Sequence, residues 1–223
     1  MSKANPIVYF FLDPGMRPAT DVFSEWADIG KDAGMERGHA PAVEQILSAA
    51  FEEMQSEGSG FDAIDAGCGN GWVVRLLSSM DNCKSAVGVD GAESMIVRAC
   101  EIDPAGKYIH ADLQSWSPET PVDLVHSMEV LYYLDKIPEF LEWVANKWLR
   151  VGGIFAFGID HYRENDACHG WSEKVGTPMA MHSESEWLEM VEEAGFTILQ
   201  MFRAAPGPEW AGTLAVIARN GSS

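Results

Sequence analysis

The stretch 65-DAGCGNGWVVRLL-77 decides the fold. An apolar run, FDAIDA at 61–66, leads into it, and Val73, Val74, Leu76 and Leu77 leave it at helical spacing. Strand, glycine turn and helix in that order are how an open α/β sheet builds a ligand site beyond a strand's C-terminal end. A dinucleotide site needs the spacing G-x-G-x-x-G. Counted from Gly67, its third glycine falls at position 72, which is Trp. The spacing here is G-x-G-x-G, with Asp65 beside it. A carboxylate repels a pyrophosphate but attracts an ammonium or a sulfonium.

Outward from the turn, strands and helices alternate. The sequence predicts strands at 85–90, 107–112, 122–128 and 152–160, and helices at 71–80, 92–100 and 136–149. Upstream, 20–29 reads as a short helix. Residues 40–54 form an amphipathic one, with Val43, Ile46, Leu47, Ala50, Phe51 and Met54 on one face and Pro41 in its first turn. A Ser-x-x-Glu capping box opens a helix over 183–195, which ends on Gly195. FTILQMF and TLAVIAR close the chain with no helix between them, so they are expected to pair as a hairpin. Apolar strands alternating with amphipathic helices predict a mostly parallel sheet covered on both faces.

Three strand ends carry carboxylates: Asp65, Asp90 and Asp112. Asp90 suits the two hydroxyls of a ribose, and Asp112, followed by Leu113, suits an adenine amine. One alone is a weak signal, since strand-end Asp often caps a helix; three with the glycine turn are a strong one. The ligand that joins an ammonium, a sulfonium and an adenosine is S-adenosylmethionine. With these residues in place, the chain resembles the class I S-adenosylmethionine-dependent methyltransferases. IDAGCGNGW, AVGVDGAESMI, YIHADL, VDLVHSMEVLYYL and LRVGGIFAF follow that family's motifs in order over roughly residues 60–219.

The resemblance implies a seven-stranded sheet with an antiparallel C-terminal strand. It implies that Asp65, Gly67, Cys68, Gly69, Asn70 and Gly71 hold the amino-acid arm, and that Asp90 holds the ribose, with Gly91 and Met95 of the same motif also at the cofactor. It further implies Asp112 and Leu113 at the adenine, and His126 to Glu129, including Ser127 and Met128, beside the methyl group. The product would be S-adenosylhomocysteine. Where small methyltransferases of the class carry V-L-x-H-L, this chain has VLYYL, with Tyr133 in the place of His.

A sulfonium-bound methyl is already activated, so alignment and water exclusion come first and a general base is optional. Two segments outside the shared motifs are expected to shape the acceptor pocket. The first belongs to an N-terminal helical lid segment, 1–58, and offers Trp26, Met35, Arg37 and His39, with Arg37 expected at the cofactor carboxylate. The second is the loop 160–182, long enough to be functional. Asp160 and Trp171, together with Glu129 and Tyr132, are candidates for binding the substrate; Tyr133, His161, Tyr162 and His169 are candidates for catalysis. Aromatic faces beside Glu129 suit a cationic acceptor or product. His161, Cys168, His169 and His182 match no zinc spacing, and no metal is expected.

The chain has 223 residues and a formal net charge of -19, with 15 Lys and Arg. Such a surface repels phosphate backbones and disfavours nucleic acid as a partner. The four cysteines form no CxxC pair, in keeping with a reducing cytoplasm. The apolar run PIVYFFL at 6–12 is too short to span a membrane and reads as a packing arm. We read one domain over 1–223, its Rossmann-like core at 59–219. Its expected function is methyl transfer to a small-molecule N, O or S atom; the alternatives are a tRNA or protein methyltransferase and a non-catalytic cofactor-binding protein.

Overall fold

A computed structural model describes residues 15–54 and 60–221; the run at 6–12 lies outside the described residues. Two helices, α1 (Ala19–Asp28) and α2 (Asp32–Glu53), precede β1 (Phe61–Ala66), α3 (Trp72–Ser78), β2 (Cys83–Asp90), α4 (Glu93–Ile102) and β3 (Lys107–His110). Then come β4 (Val122–Met128), α5 (Ile137–Trp143), β5 (Leu149–Ile159), α6 (Trp171–Val175), α7 (Glu184–Glu193), β6 (Phe196–Ala204) and β7 (Thr213–Asn220). The seven strands form one sheet in the order β3-β2-β1-β4-β5-β7-β6. β1 to β5 are parallel, and β7 runs antiparallel between β5 and β6. The expected α/β sheet, with its antiparallel C-terminal strand, is the observed one.

Successive strand residues face opposite sides of the sheet, and each face has its own core. Ile64, Val125, Phe155, Phe157 and Val216 pack with Phe140 and Leu141 of α5 and Trp187 and Val191 of α7. Ala63, Leu124, Ile154 and Ile217 pack with Val43, Ile46 and Leu47 of α2 and Val74 and Leu77 of α3. β7 is buried along nearly its whole length because it pairs on both sides. The capping box of α7 forms as expected: Ser183 Oγ accepts from the Glu186 N–H at 3.2 Å, and the Glu186 carboxylate accepts from the Ser183 N–H at 2.7 Å.

Two expectations need correction. The helix placed at 40–54 starts at Asp32, and Pro41 lies inside it rather than in its first turn. Proline costs that helix one backbone hydrogen bond. The residue four places back, Arg37, is exposed, so water reaches the freed carbonyl. The hydrophobic pattern missed the first turns because their buried face is mostly polar: Asp32, Met35, Glu36 and His39 repeat at i, i+3, i+4 and i+7. The helix placed at 136–149 is regular only to Trp143 and then widens into a π turn, Val144–Trp148. The indole N–H groups of Trp143 and Trp148, either side of that turn, both donate to the Trp116 carbonyl, at 2.7 and 3.0 Å.

Candidate active site

β1 pairs with β2 on one side and with β4 on the other, so the chain reverses its winding direction between them. A ligand crevice opens at such a point, beyond the strands' C-terminal ends. Here it is a cavity of about 800 Å³, roofed by α1 and the start of α2 and walled by residues 171–179. That volume is in the range of small-molecule and cofactor sites.

The glycine turn forms the floor. Gly67 has φ 76°, and a side chain there would stand 2.2 Å from Val130. Gly71 has φ 78° and backs onto Tyr108, 2.3 Å from where a Cβ would be. So Gly67 keeps the floor open, while Gly71 serves packing and does not line the cavity. Asp90 ties the turn to the end of β2: its carboxylate accepts from the Gly69 N–H at 2.9 Å and from the Ala92 N–H at 2.7 Å. Burial pushes its pKa up and the negative charge of Asp65 adds to the rise, against the two backbone donors, which lower it. Cys68 is buried in the same floor. Burial, then the charges of Asp90 and Asp65, push its thiol well up, which keeps it from being a thiolate nucleophile.

Asp65 is almost fully buried and has a partner that the sequence did not reveal. His126, its register neighbour on β4, meets its carboxylate at 2.7 Å through Nδ1. The other ring nitrogen of His126 is buried with no hydrogen-bond partner. Asn70 turns toward the roof, where its amide donates to Asp32 at 3.0 Å. Asp112 is exposed, caps its own turn by accepting from the Gln114 N–H at 3.0 Å, and lines the cavity with Leu113, Gly91 and Met95.

The other end of the cavity is built at the ends of β4 and β5. Glu129 follows β4 with φ 59°, a left-handed conformation that costs a non-glycine residue about 1–3 kcal/mol. Its carboxylate accepts from the Tyr132 hydroxyl at 2.7 Å and from the Asp160 N–H. Asp160 follows β5 and accepts from the Thr213 hydroxyl at 2.6 Å. Burial pushes Glu129 well above the usual carboxylate range and the Asp160 charge pushes it further. Asp160 is pushed to about 6 by burial, with the Thr213 hydroxyl opposing. From the roof, His39 completes a trio whose ligand-type atoms all lie within 4.8 Å of one another; burial lowers its pKa. An aromatic wall runs past them, with ring centroids of Trp26–Phe23 at 5.3 Å, Phe23–Tyr133 at 5.2 Å and Tyr132–Tyr133 at 4.4 Å.

Trp26, Met128, Glu129, Tyr132, Tyr133 and Trp171 therefore line the cavity, as the sequence placed them. Others do not line it, Asp160 among them: it sits buried beside Glu129 with its carboxylate on the Thr213 hydroxyl. His161 is buried behind Tyr132 with Nδ1 on the Ala180 carbonyl at 3.0 Å. Tyr162 is fully buried, donates to the Gly212 carbonyl at 2.8 Å and lies under the Arg203 guanidinium. His169 is exposed and bonds the Arg163 carbonyl. None of these three is in place to act on an acceptor. Ser127 is buried, does not line the cavity, and donates to the Ala66 carbonyl at 2.9 Å, which ties β4 to β1. Arg37 is exposed outside the cavity. Burial pushes Tyr133 up, so its hydroxyl stays neutral.

The fold is that of the class I S-adenosylmethionine-dependent methyltransferases. A family model described as a methyltransferase domain matches residues 32–201, and the chain belongs to that family. A trans-aconitate 2-methyltransferase of Azoarcus sp. (strain BH72) is 34% identical over 97 residues, covering 42% of this chain and 36% of that protein. One from Klebsiella pneumoniae (strain 342) is 32% identical over 103 residues, covering 45% and 40%. The chain thus matches well under half the length of these curated relatives. Among solved structures, a Haloferax volcanii methyltransferase in complex with the Trm112 methyltransferase activator superposes with a TM-score of 0.79. It is 25% identical, and the match covers 93% of this chain and 100% of that one. The N-methyltransferase NodS of Bradyrhizobium japonicum WM9, bound to S-adenosylhomocysteine, superposes with a TM-score of 0.61 at 19% identity, over 80% and 85% of the two chains. At that identity it attests the fold alone.

Proposed function

We propose that this protein transfers the methyl group of S-adenosylmethionine to a small molecule that is neutral or cationic. The observation that carries this is the lining of the cavity. Seven carboxyl side chains face it and, among the described residues, no Lys or Arg does. Asp65 and the glycine turn suit the cofactor's ammonium and sulfonium, Asp90 its ribose hydroxyls, and Asp112 with Leu113 its adenine.

The same lining separates this chain from its curated relatives. Trans-aconitate is a polycarboxylate. Bringing it among seven carboxyls, with no Lys or Arg on the cavity wall among the described residues to meet it, would set like charges against one another. The net charge of -19 likewise favours a small acceptor over RNA. No helix among the described residues is long and apolar enough to cross a membrane. Calorimetry tests the cofactor: S-adenosylmethionine should bind and NAD should not. Methyl-labelled cofactor tests the acceptor: label should enter a metabolite pool, and label found only in tRNA or protein would overturn the small-molecule reading.

A further inference from the structure

Resting on that methyl-transfer reading, we infer that the far end of the cavity is an amine site. The ammonium of a small amine docks on Glu129 against the rings of Phe23, Tyr132 and Tyr133, Asp160 adds its charge from just outside the lining, and His39 takes the proton.

Two carboxylates from different strand ends meet here without a countercharge. Glu129 is held in a left-handed backbone conformation that turns it inward, and hydrogen bonds from Tyr132, the Asp160 N–H and Thr213 fix both groups. Buried charges of one sign are stable only when a cation joins them, and among the described residues the protein supplies none at the cavity wall. A pair that ionises here therefore calls for a cation carried by a ligand, and while the site is empty protonation relieves it instead, as the raised pKa values of both carboxyls show. His39, Glu129 and Asp160 also have the composition of a divalent-metal site. Two features favour an ammonium. Both Glu129 oxygens already accept hydrogen bonds. The adjoining wall is aromatic, and ring faces attract an alkylammonium but offer nothing to a hydrated metal ion.

Transfer to such an acceptor balances simply. An N–H proton passes from the ammonium to a ring nitrogen of His39, which lines the cavity within 4.8 Å of the Glu129 and Asp160 carboxyls; burial disfavours the protonated ring, so it holds the proton only in passing. The freed lone pair forms the N–C bond to the methyl carbon. The C–S bond breaks with its electron pair going to sulfur, leaving the neutral thioether of S-adenosylhomocysteine. The nitrogen regains its positive charge as a methylated ammonium beside Glu129, and His39 releases its proton to solvent.

The test is calorimetry on S-adenosylhomocysteine-loaded protein with histamine, phenethylamine and 1,4-diaminobutane, set against trans-aconitate and Mn²⁺. At least one amine should bind, and Glu129→Gln should weaken it tenfold or more while S-adenosylhomocysteine binds within threefold of wild type. His39→Gln should lower kcat for that amine more than it raises KM, and the loss should shrink as pH rises toward the amine's own pKa. A purely structural histidine would not produce that pH dependence. The inference is overturned if no amine binds the loaded protein, if trans-aconitate binds more tightly than every amine, or if Mn²⁺ binds and Glu129→Gln abolishes it. Cofactor binding that survives any of those outcomes leaves the methyltransferase reading standing.

Discussion

Asp160→Asn should stabilise this protein, and by an amount that depends on pH. Asp160 is 6% exposed and faces Glu129 and His39, with only the Thr213 hydroxyl to favour its charged form. Its pKa rises from the ordinary 3.8 to about 6. A carboxyl with a folded-state pKa above its unfolded one binds more protons in the native protein, so stability falls as pH climbs through that window. At 1.36 kcal/mol for each pH unit, the ionised group costs the native state roughly 3 kcal/mol near pH 8 and about half of that near pH 5. Asparagine keeps an acceptor oxygen for Thr213 and removes the charge. It also relieves Glu129, whose pKa the Asp160 charge raises. Urea unfolding of both proteins without cofactor, from about pH 5 to pH 8, should show a stability gap that widens with pH by about 1–2 kcal/mol. A gap that is flat, or that narrows as pH rises, would refute the view of Asp160 as a buried carboxylate short of a cation.

Three further substitutions examine the cofactor end. His126→Phe strips the Asp65 carboxylate of its partner inside the sheet and should cost about 3–5 kcal/mol of stability, with His126→Gln recovering part of it; equal melting temperatures for His126→Phe and wild type would dismiss the pair. Asp90→Ala removes the expected ribose acceptor along with the tie to Gly69 and Ala92. With hydrogen bonds to a charged group contributing about 1.5–3 kcal/mol each, S-adenosylmethionine affinity should fall by roughly a hundredfold or more in calorimetry, and an unchanged Kd would exclude Asp90 from the site. Gly71→Ala places a Cβ 2.3 Å from the Tyr108 ring at φ 78° and should lower stability by about 1–3 kcal/mol. Adding Tyr108→Leu should return only the share due to the clash.

The glycine turn and the strand-end carboxyls were legible in the sequence because their residues are consecutive or their constraints are local. Gly67 to Gly71 lie in one turn, and Asp65, Asp90 and Asp112 stand at the ends of strands that periodicity alone could place. Even there, the partner of Asp65 was hidden. His126 becomes its neighbour only through the β1–β4 register, and nothing in a linear chain says that strands 61 residues apart lie side by side. The acceptor half fared worse for the same reason: His39, Glu129 and Asp160 come from a helix and two strand ends. Sequence reasoning took the loop after β5 to be reactive because it is rich in histidine and tyrosine. Its hydrogen bonds go instead to backbone carbonyls of Ala180, Gly212 and Arg163, which hold the loop in shape. The first turns of α2 did carry a readable signal, in the polar residues Asp32, Glu36 and His39, whose helical spacing a search for apolar periodicity passes over.

Charge accounting across the transfer step joins the two halves. In the proposed reaction the positive charge starts on sulfur, at the end of the cavity assigned to the cofactor, where Asp65 and Asp90 stand. Methylation of a carboxylate would annihilate that charge together with the acceptor's, leaving two neutral products among seven carboxyl groups. Methylation of an amine nitrogen instead moves the positive charge along the cavity, to where Glu129 and Asp160 meet it. Negative groups fixed at the end where charge develops lower the barrier, because they need no reorganisation during the reaction. The same displacement leaves the cofactor product without the charge that Asp65 and Asp90 favoured. S-adenosylhomocysteine should therefore bind more weakly than S-adenosylmethionine, by a margin that shrinks as added salt screens the site. Equal affinities for the two at low ionic strength would show that the acidic floor does not read the sulfonium.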